Sequence, residues 1–143
     1  MIVVDANLLL YAYSDTAVEH RDAKAWLGRI LSEAEPVGLP WQSVAAFLRI
    51  ITSSSLPGTR VTMPEAIEVI EEWMALPQVR FLAPTDRHWG VLRQVLLEGR
   101  VRGPLTTDAE LAAVTIEYGG VLHTTDRDFA RFPGLRWTNP LAS

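Results

Sequence analysis

The chain opens Met1-Ile2-Val3-Val4-Asp5-Ala6-Asn7-Leu8-Leu9-Leu10-Tyr11-Ala12, and this stretch restricts the fold more than any other. Its β-branched start suits a strand buried on both faces of a parallel sheet. Within a residue or two the apolar spacing becomes helical, so Asp5 falls where the strand's carboxyl end meets the next helix. Ligands bind along that edge in open α/β sheets. A lone buried carboxylate is costly, so Asp5 should have a partner there, either a cation or a hydrogen-bond donor. The plainer alternative is that Asp5 caps the helix.

Further along, strand and helix signals alternate. Thr16 to Ala34 carries Val18, Ala23, Trp26, Leu27, Ile30 and Leu31 at helical spacing, and Pro36 closes it. Val37-Gly38-Leu39-Pro40 reads as a second strand, and a helix over 42–52 follows with Val44, Phe47, Leu48 and Ile51 on one face. Thr62-Met63-Pro64-Glu65 is a capping box that opens a helix striped with Ile67, Ile70, Trp73 and Met74. Val79-Arg80-Phe81-Leu82 is a third strand, and Thr85 should cap a helix bearing Trp89, Leu92, Val95 and Leu96. Thr107-Asp108-Ala109-Glu110 reads as a second capping box whose helix stops at Gly119-Gly120. Val121 to Thr124 is a fourth strand, and Leu135-Arg136-Trp137 a short edge strand. Strands alternating with helices predict an α/β domain with a parallel sheet between helix layers.

The 143 residues suffice for one domain with a real core and are too few for two. With no cysteine, any metal must be held by oxygen or imidazole. A net charge of -4 excludes coating a duplex by bulk electrostatics but not nucleic acid as such. Neither a membrane span nor a signal peptide is visible in the apolar start, so a cytoplasmic protein is the expectation.

Two later segments repeat the placement of Asp5. Asp126 and Asp128 follow a buried strand directly, and Asp108 would stand at the first position of its helix if Thr107 were the N-cap. Each has a local explanation as a cap or first-turn acid. In a parallel sheet, however, the carboxyl ends of all strands share one edge, so Asp5 and Asp126 meet there and the Asp108 helix can point to it. Crowded carboxylates repel unless a cation neutralises them, and hard oxygen ligands without thiolate select Mg²⁺ or Mn²⁺. Metal-assisted phosphodiester hydrolysis suits such a site.

Val3-Val4-Asp5-Ala6-Asn7-Leu8-Leu9, the Asp108-Ala109-Glu110-Leu111-Ala112-Ala113 helix and Thr124-Thr125-Asp126-Arg127-Asp128-Phe129 resemble the three signature segments of the PIN domain. The tail Phe129-Ala130-Arg131-Phe132-Pro133-Gly134-Leu135-Arg136-Trp137 is similar to the VapC toxins of VapBC pairs. The likeness runs end to end, over a single domain of residues 1–143. It implies a PIN-like three-layer α/β/α sandwich around a mainly parallel sheet of four or five strands. It also implies a Mg²⁺-dependent endoribonuclease, the toxin of a type II toxin–antitoxin module, usually a homodimer held inactive by a VapB antitoxin. Mn²⁺ would substitute for Mg²⁺, and a metal-activated water would cut the RNA. By the same likeness Asp5, Asp108 and Asp126 are the metal carboxylates and Asp128 is an auxiliary acid. Asn7 and Thr125 would orient those carboxylates.

The sequence departs from the family at Ala46, where alignment on Phe47-Leu48-Arg49 puts a glutamate. Three carboxylates hold one divalent ion and leave a second short of charge, so one metal should bind well and a second poorly. The alternative to an active nuclease is a weakened PIN-fold protein that mainly binds RNA and antitoxin. A phosphoacceptor receiver domain also gathers acids at a strand edge, but it wants a late-strand lysine, and the only lysine is Lys24.

Among the arginines, Arg127 and Arg102 are the candidates for RNA phosphate, with Arg127 equally placed to pair with its flanking aspartates. The three histidines read as structural. Trp26, Trp73 and Trp89 lie on apolar stripes and belong to core or dimer interface. Trp41, after the second strand, is the one tryptophan placed where a base could stack.

Overall fold

A computed structural model describes residues 1–58 and 60–142. It contains five strands, β1 Ile2–Val4, β2 Val37–Pro40, β3 Val79–Leu82, β4 Val121–His123 and β5 Trp137–Thr138. The helices are α1 Ala6–Tyr13, α2 His20–Ile30, α3 Trp41–Ile51, α4 Met63–Met74, α5 His88–Glu98 and α6 Leu105–Glu117, with a 3₁₀ turn at Arg127–Arg131. The strands form one sheet in the order β3-β2-β1-β4-β5, and every pairing in it is parallel. Sequence and structure therefore agree on a three-layer α/β/α sandwich with β1 at the centre.

The position of β1 follows from its composition. Val3 and Val4 are fully buried, and the strand is sheathed on both faces as its unbroken apolar run requires. Ile2 and Val4 face a core built with α1, α2, α3 and α4, including Leu8, Trp26, Phe47 and Trp73. Val3 faces a second core of α5, α6 and the 3₁₀ turn, including Leu92, Ala112 and Phe129. Because β1 pairs Val3 with Gly38 and Val4 with His123, its end stands level with the ends of β2 and β4.

Several local expectations need correction. The second helix starts at His20 and ends at Ile30, so Val18 lies outside it and is 98% exposed. The capping box at Thr62 forms as read, with Glu65 reaching back to the Thr62 amide. The one at Thr107 does not form. Gly103, in the left-handed region, and Pro104 turn the chain so that α6 begins at Leu105, which puts Thr107 and Asp108 inside its first turns. Thr85 does not cap α5, whose N-cap is Arg87; its hydroxyl donates to Glu117 across the structure. On α4 the buried positions are Ala66, Ile70 and Trp73, whereas Ile67 and Met74 are exposed. Trp89 is 66% exposed and is no part of the core. The fifth strand lies over Trp137–Thr138 rather than Leu135 to Trp137. Gly119 ends α6 at φ 64, a left-handed conformation that favours glycine. Among the described residues no helix is long and apolar enough to cross a membrane.

Candidate metal centre

The carboxyl edge of the sheet gathers the acids. Asp5 follows β1, Asp126 follows β4 after two threonines, and the first turns of α6 bring Asp108 over the same edge. One carboxylate oxygen from each of Asp108, Asp126 and Asp128 lies within 4.8 Å of the other two. Asp128, expected as an accessory, thus belongs to the same close cluster as Asp108 and Asp126. Asp5 stands beside this trio rather than within it, near enough that its charge and those of Asp126 and Asp108 act on one another.

A single hydroxyl organises the edge. Thr124 Oγ1 donates to Asp5 Oδ2 at 2.7 Å, and it accepts from the Asp126 amide at 3.0 Å and from Asn7 Nδ2 at 3.4 Å. It therefore ties the end of β1, the first turn of α1 and the exit of β4 together, and Thr124 is fully buried. This corrects the assignment of the orienting role to Thr125, whose side chain faces the Tyr11 hydroxyl instead. The sequence did hold the signal: alternation along a strand puts Thr124 on the inward side with Leu122, and Thr125 on the other. The Asn7 side chain reaches Asp5 only through Thr124, whereas its backbone amide acts on the Asp5 carboxylate directly. Asp5 is the N-cap residue of α1 but makes no side-chain cap bond. Asp126 does cap, accepting from the Asp128 amide at 2.9 Å at the start of the 3₁₀ turn.

The electrostatics show a surplus of negative charge. Asp108 is pushed up to about 6, first by burial and then by the charges of Asp126, Asp5 and Asp128, with Arg131 the cation that opposes them. Asp5 is also raised, mainly by burial and further by Asp126, against the pull of Thr124 and the nearby amides of Ala6 and Asn7. Arg127 is exposed and forms no ion pair with Asp126 or Asp128 among the described residues, so Arg131 rather than Arg127 is the cation facing the acids. Ala46 lies on α3, partly buried, and brings no carboxylate. Oxygen donors converging from three segments, with too little positive charge around them, fit a hard divalent cation such as Mg²⁺ or Mn²⁺.

The histidines are engaged elsewhere. His123 stacks on Trp26 with ring centroids 5.6 Å apart, His20 Nδ1 meets the Tyr11 carbonyl, and His88 pairs with Glu117. Glu117, which sequence reasoning passed over, is buried at the far end of α6. Its carboxylate accepts from the Thr85 amide at 2.8 Å, the Thr85 hydroxyl at 2.7 Å and His88 Nδ1 at 2.6 Å.

Comparison with known families matches residues 2–135 to the PIN domain. Ribonuclease VapC33 of Mycobacterium tuberculosis is 38% identical over 141 residues, covering 99% of both chains. Among solved structures, VapBC2 from Rickettsia felis, bound to a DNA fragment from its promoter, aligns at a TM-score of 0.71 and 14% identity over 97% of this chain and 98% of that one. Mycobacterium tuberculosis VapC20, a Sarcin-Ricin loop cleaving toxin, aligns at 0.68 and 17% over 95% and 99%. At those identities the solved structures speak for the fold alone.

Proposed function

The chain belongs to the PIN domain family, among the VapC ribonucleases, and from that premise we propose that it is a divalent-metal-dependent endoribonuclease, the toxin of a toxin–antitoxin pair. The observation that carries the metal and the site is the mutual approach of the Asp108, Asp126 and Asp128 carboxylates beside Asp5. In this reading Asp5, Asp108 and Asp126 hold the cation, with Asp128 as the accessory acid. When bound, the ion supplies a lowered pKa to its water and offsets charge developing on the phosphate.

The chain's own residues do the positioning. Thr124 fixes the Asp5 carboxylate by its 2.7 Å bond, so Asp5 does not have to be ordered when ligand arrives. The Asp128 amide holds one Asp126 oxygen and leaves the other free to turn to a ligand. Asp108, pushed up to about 6, is still mostly ionised at neutral pH, so little proton release accompanies cation binding there. Without a cation these acids repel an RNA phosphate, which makes metal a condition of cutting rather than an accelerator. Because α3 supplies Ala46 and no carboxylate, one ion is held firmly and a second weakly.

The pairing with an antitoxin is supported by VapC ribonuclease relatives, and by Rickettsia felis VapBC2 as a structural neighbour. A homodimer is supported by Met63, Ile67 and Met74, exposed apolar side chains on α4. The deciding experiment incubates a labelled RNA pool with the protein and Mg²⁺ or Mn²⁺ beside an Asp5→Ala control. Cleavage by the wild type and its loss in the control are expected; equal fragments from both, or none from the wild type, overturn the reading.

A further inference from the structure

We propose that Trp41 is a stacking platform for an unpaired nucleobase next to the cut phosphate, an inference that rests on the ribonuclease reading. Trp41 is the first residue of α3 and follows directly on the carboxyl end of β2. The register of β1 on β2, Ile2 with Val37 and Val3 with Gly38, brings Asp5 level with Pro40. Neighbouring strands lie about 4.8 Å apart, so the backbone of Trp41 begins roughly one strand spacing from that of Asp5 along the sheet edge. The next residue ties this corner to the acids: Gln42 Nε2 donates to the Thr107 carbonyl at 2.8 Å, one position before Asp108. The edge therefore presents, in spatial order, the segment of Asp126, Asp5 and then Trp41.

The side chain suits a flat ligand. Trp41 is 46% exposed, although a large aromatic ring in a core-forming helix gains by burial. One side rests on Phe81 of β3, with ring centroids 5.0 Å apart at 35°, so the indole is backed by a second ring rather than left to swing. Trp26 and Trp73 lie in the first core, and Trp89 is exposed on α5, not at the edge where the acids gather. A single-stranded nucleic acid that lays one phosphate at the carboxylates and continues across the strand ends brings a neighbouring base over Trp41. Stacking there is tolerant of sequence because every base has a π-face, and it favours unpaired over helical RNA, whose bases are already stacked.

The test measures binding apart from cutting. In an Asp108→Asn background, which disables cleavage and lowers the repulsion, the affinity of a fluorescein-labelled mixed-sequence hexaribonucleotide is measured by anisotropy for Trp41, Trp41→Phe and Trp41→Ala. Trp41→Ala is expected to weaken binding about tenfold or more, with Trp41→Phe keeping most of the affinity. A set of hexamers with one abasic position each then supplies the specific readout. One abasic position should cost the Trp41 protein that same factor and cost Trp41→Ala nothing further. Unchanged affinity in Trp41→Ala, or an abasic penalty that survives it, overturns the platform and leaves the ribonuclease reading standing. Failure of the Trp41 protein to bind any RNA overturns the platform alone, because Asp108→Asn has also removed a residue assigned to the cation; the ribonuclease reading stands or falls on cleavage by the unmodified chain. Trp41→Phe keeps the outcome readable should the alanine variant misfold.

Discussion

Helix α6 carries Asp108 near its amino end and Glu117 at its carboxyl end, and the two carboxylates live under opposite regimes. Glu117 is buried, yet burial does not raise it. The bonds from His88 and from the Thr85 hydroxyl and amide outweigh the desolvation and hold it below the usual carboxylate range. Asp108 is raised, first by desolvation that no hydrogen-bond donor offsets and then by its neighbours Asp126, Asp5 and Asp128, which are themselves acids. The same functional group on one helix is complete at one end and incomplete at the other. A carboxylate surrounded by donors closes a structure. A carboxylate surrounded by carboxylates stores repulsion that only a cation or a proton relieves. This contrast separates the structural acid from the site more cleanly than position in a pocket does.

Removing a charge from each end should therefore give opposite results. Asp108→Asn is expected to abolish cleavage of a labelled RNA by at least about 100-fold, since even loss of a residue that merely supports a metal ligand costs 10–100-fold. In chelator the same variant should melt no lower than the wild type, because it relieves repulsion. A variant that still cuts, or that melts far lower, would erase the distinction drawn between the two ends.

Glu117→Ala should do the reverse. It strands the Thr85 amide, the Thr85 hydroxyl and His88 without their acceptor, at a cost of about 2–4 kcal/mol. Thermal denaturation should show a melting temperature lower by roughly 10 °C. Per folded molecule, RNA cleavage at 20 °C should stay within about twofold of wild type. Loss of activity without loss of stability would make Glu117 part of the site.

Adding a charge tests the incomplete end from the other side. Ala46→Glu is expected to tighten the weaker divalent ion by about tenfold in a calorimetric titration with Mn²⁺, the scale on which a further oxygen near a metal acts. Identical isotherms for the two proteins, with identical cleavage rates, would show that α3 is too far from the acids to matter.

The two ends also differ in how far they could be read from the sequence. The placement of Asp5 and Asp126 was legible because each follows a strand that its apolar run locates, and a parallel sheet sends such strand ends to one edge; Asp108 reaches that edge from inside the first turns of α6, past the helix start its motif marked. Glu117 was not legible. Its partners Thr85 and His88 lie some thirty positions away, and only the packing of α5 on α6 brings them to it. The Thr107 capping box failed for a related reason: the motif is local, but the turn at Gly103 and Pro104 starts the helix before the motif can act. The exchange of Thr125 for Thr124 is a one-residue error of phase, which period-two alternation corrects. Exposure of Trp89 and Ile67 was hidden because helical spacing marks a stripe without saying whether anything covers it.

The smallest expected effect lies in the pH dependence of stability, and there the two ends pull in opposite directions. Asp108 titrates near 6 in the folded chain and near its ordinary 3.8 when unfolded. Between those values the folded chain binds more protons than the unfolded one, so stability falls as pH rises from about 4 to 6 and is level above. Asp5, also raised, adds to the same slope. Glu117 is lowered, so the unfolded chain binds more protons around and below its ordinary 4.5; its stabilisation is present above that value and is lost as pH falls. In chelator, melting temperature should decline by roughly a degree or two between pH 4.5 and 6.5, the slope being shallow because Asp108 is partly solvated. Asp108→Asn should flatten that decline, and saturating Mg²⁺ should reverse it, because the cation binds the ionised form. Glu117→Gln should leave the decline intact and remove part of the loss on the acid side. If the decline in chelator survives Asp108→Asn unchanged, the repulsion is not centred on Asp108, and the amino end of α6 is no more incomplete than the carboxyl end.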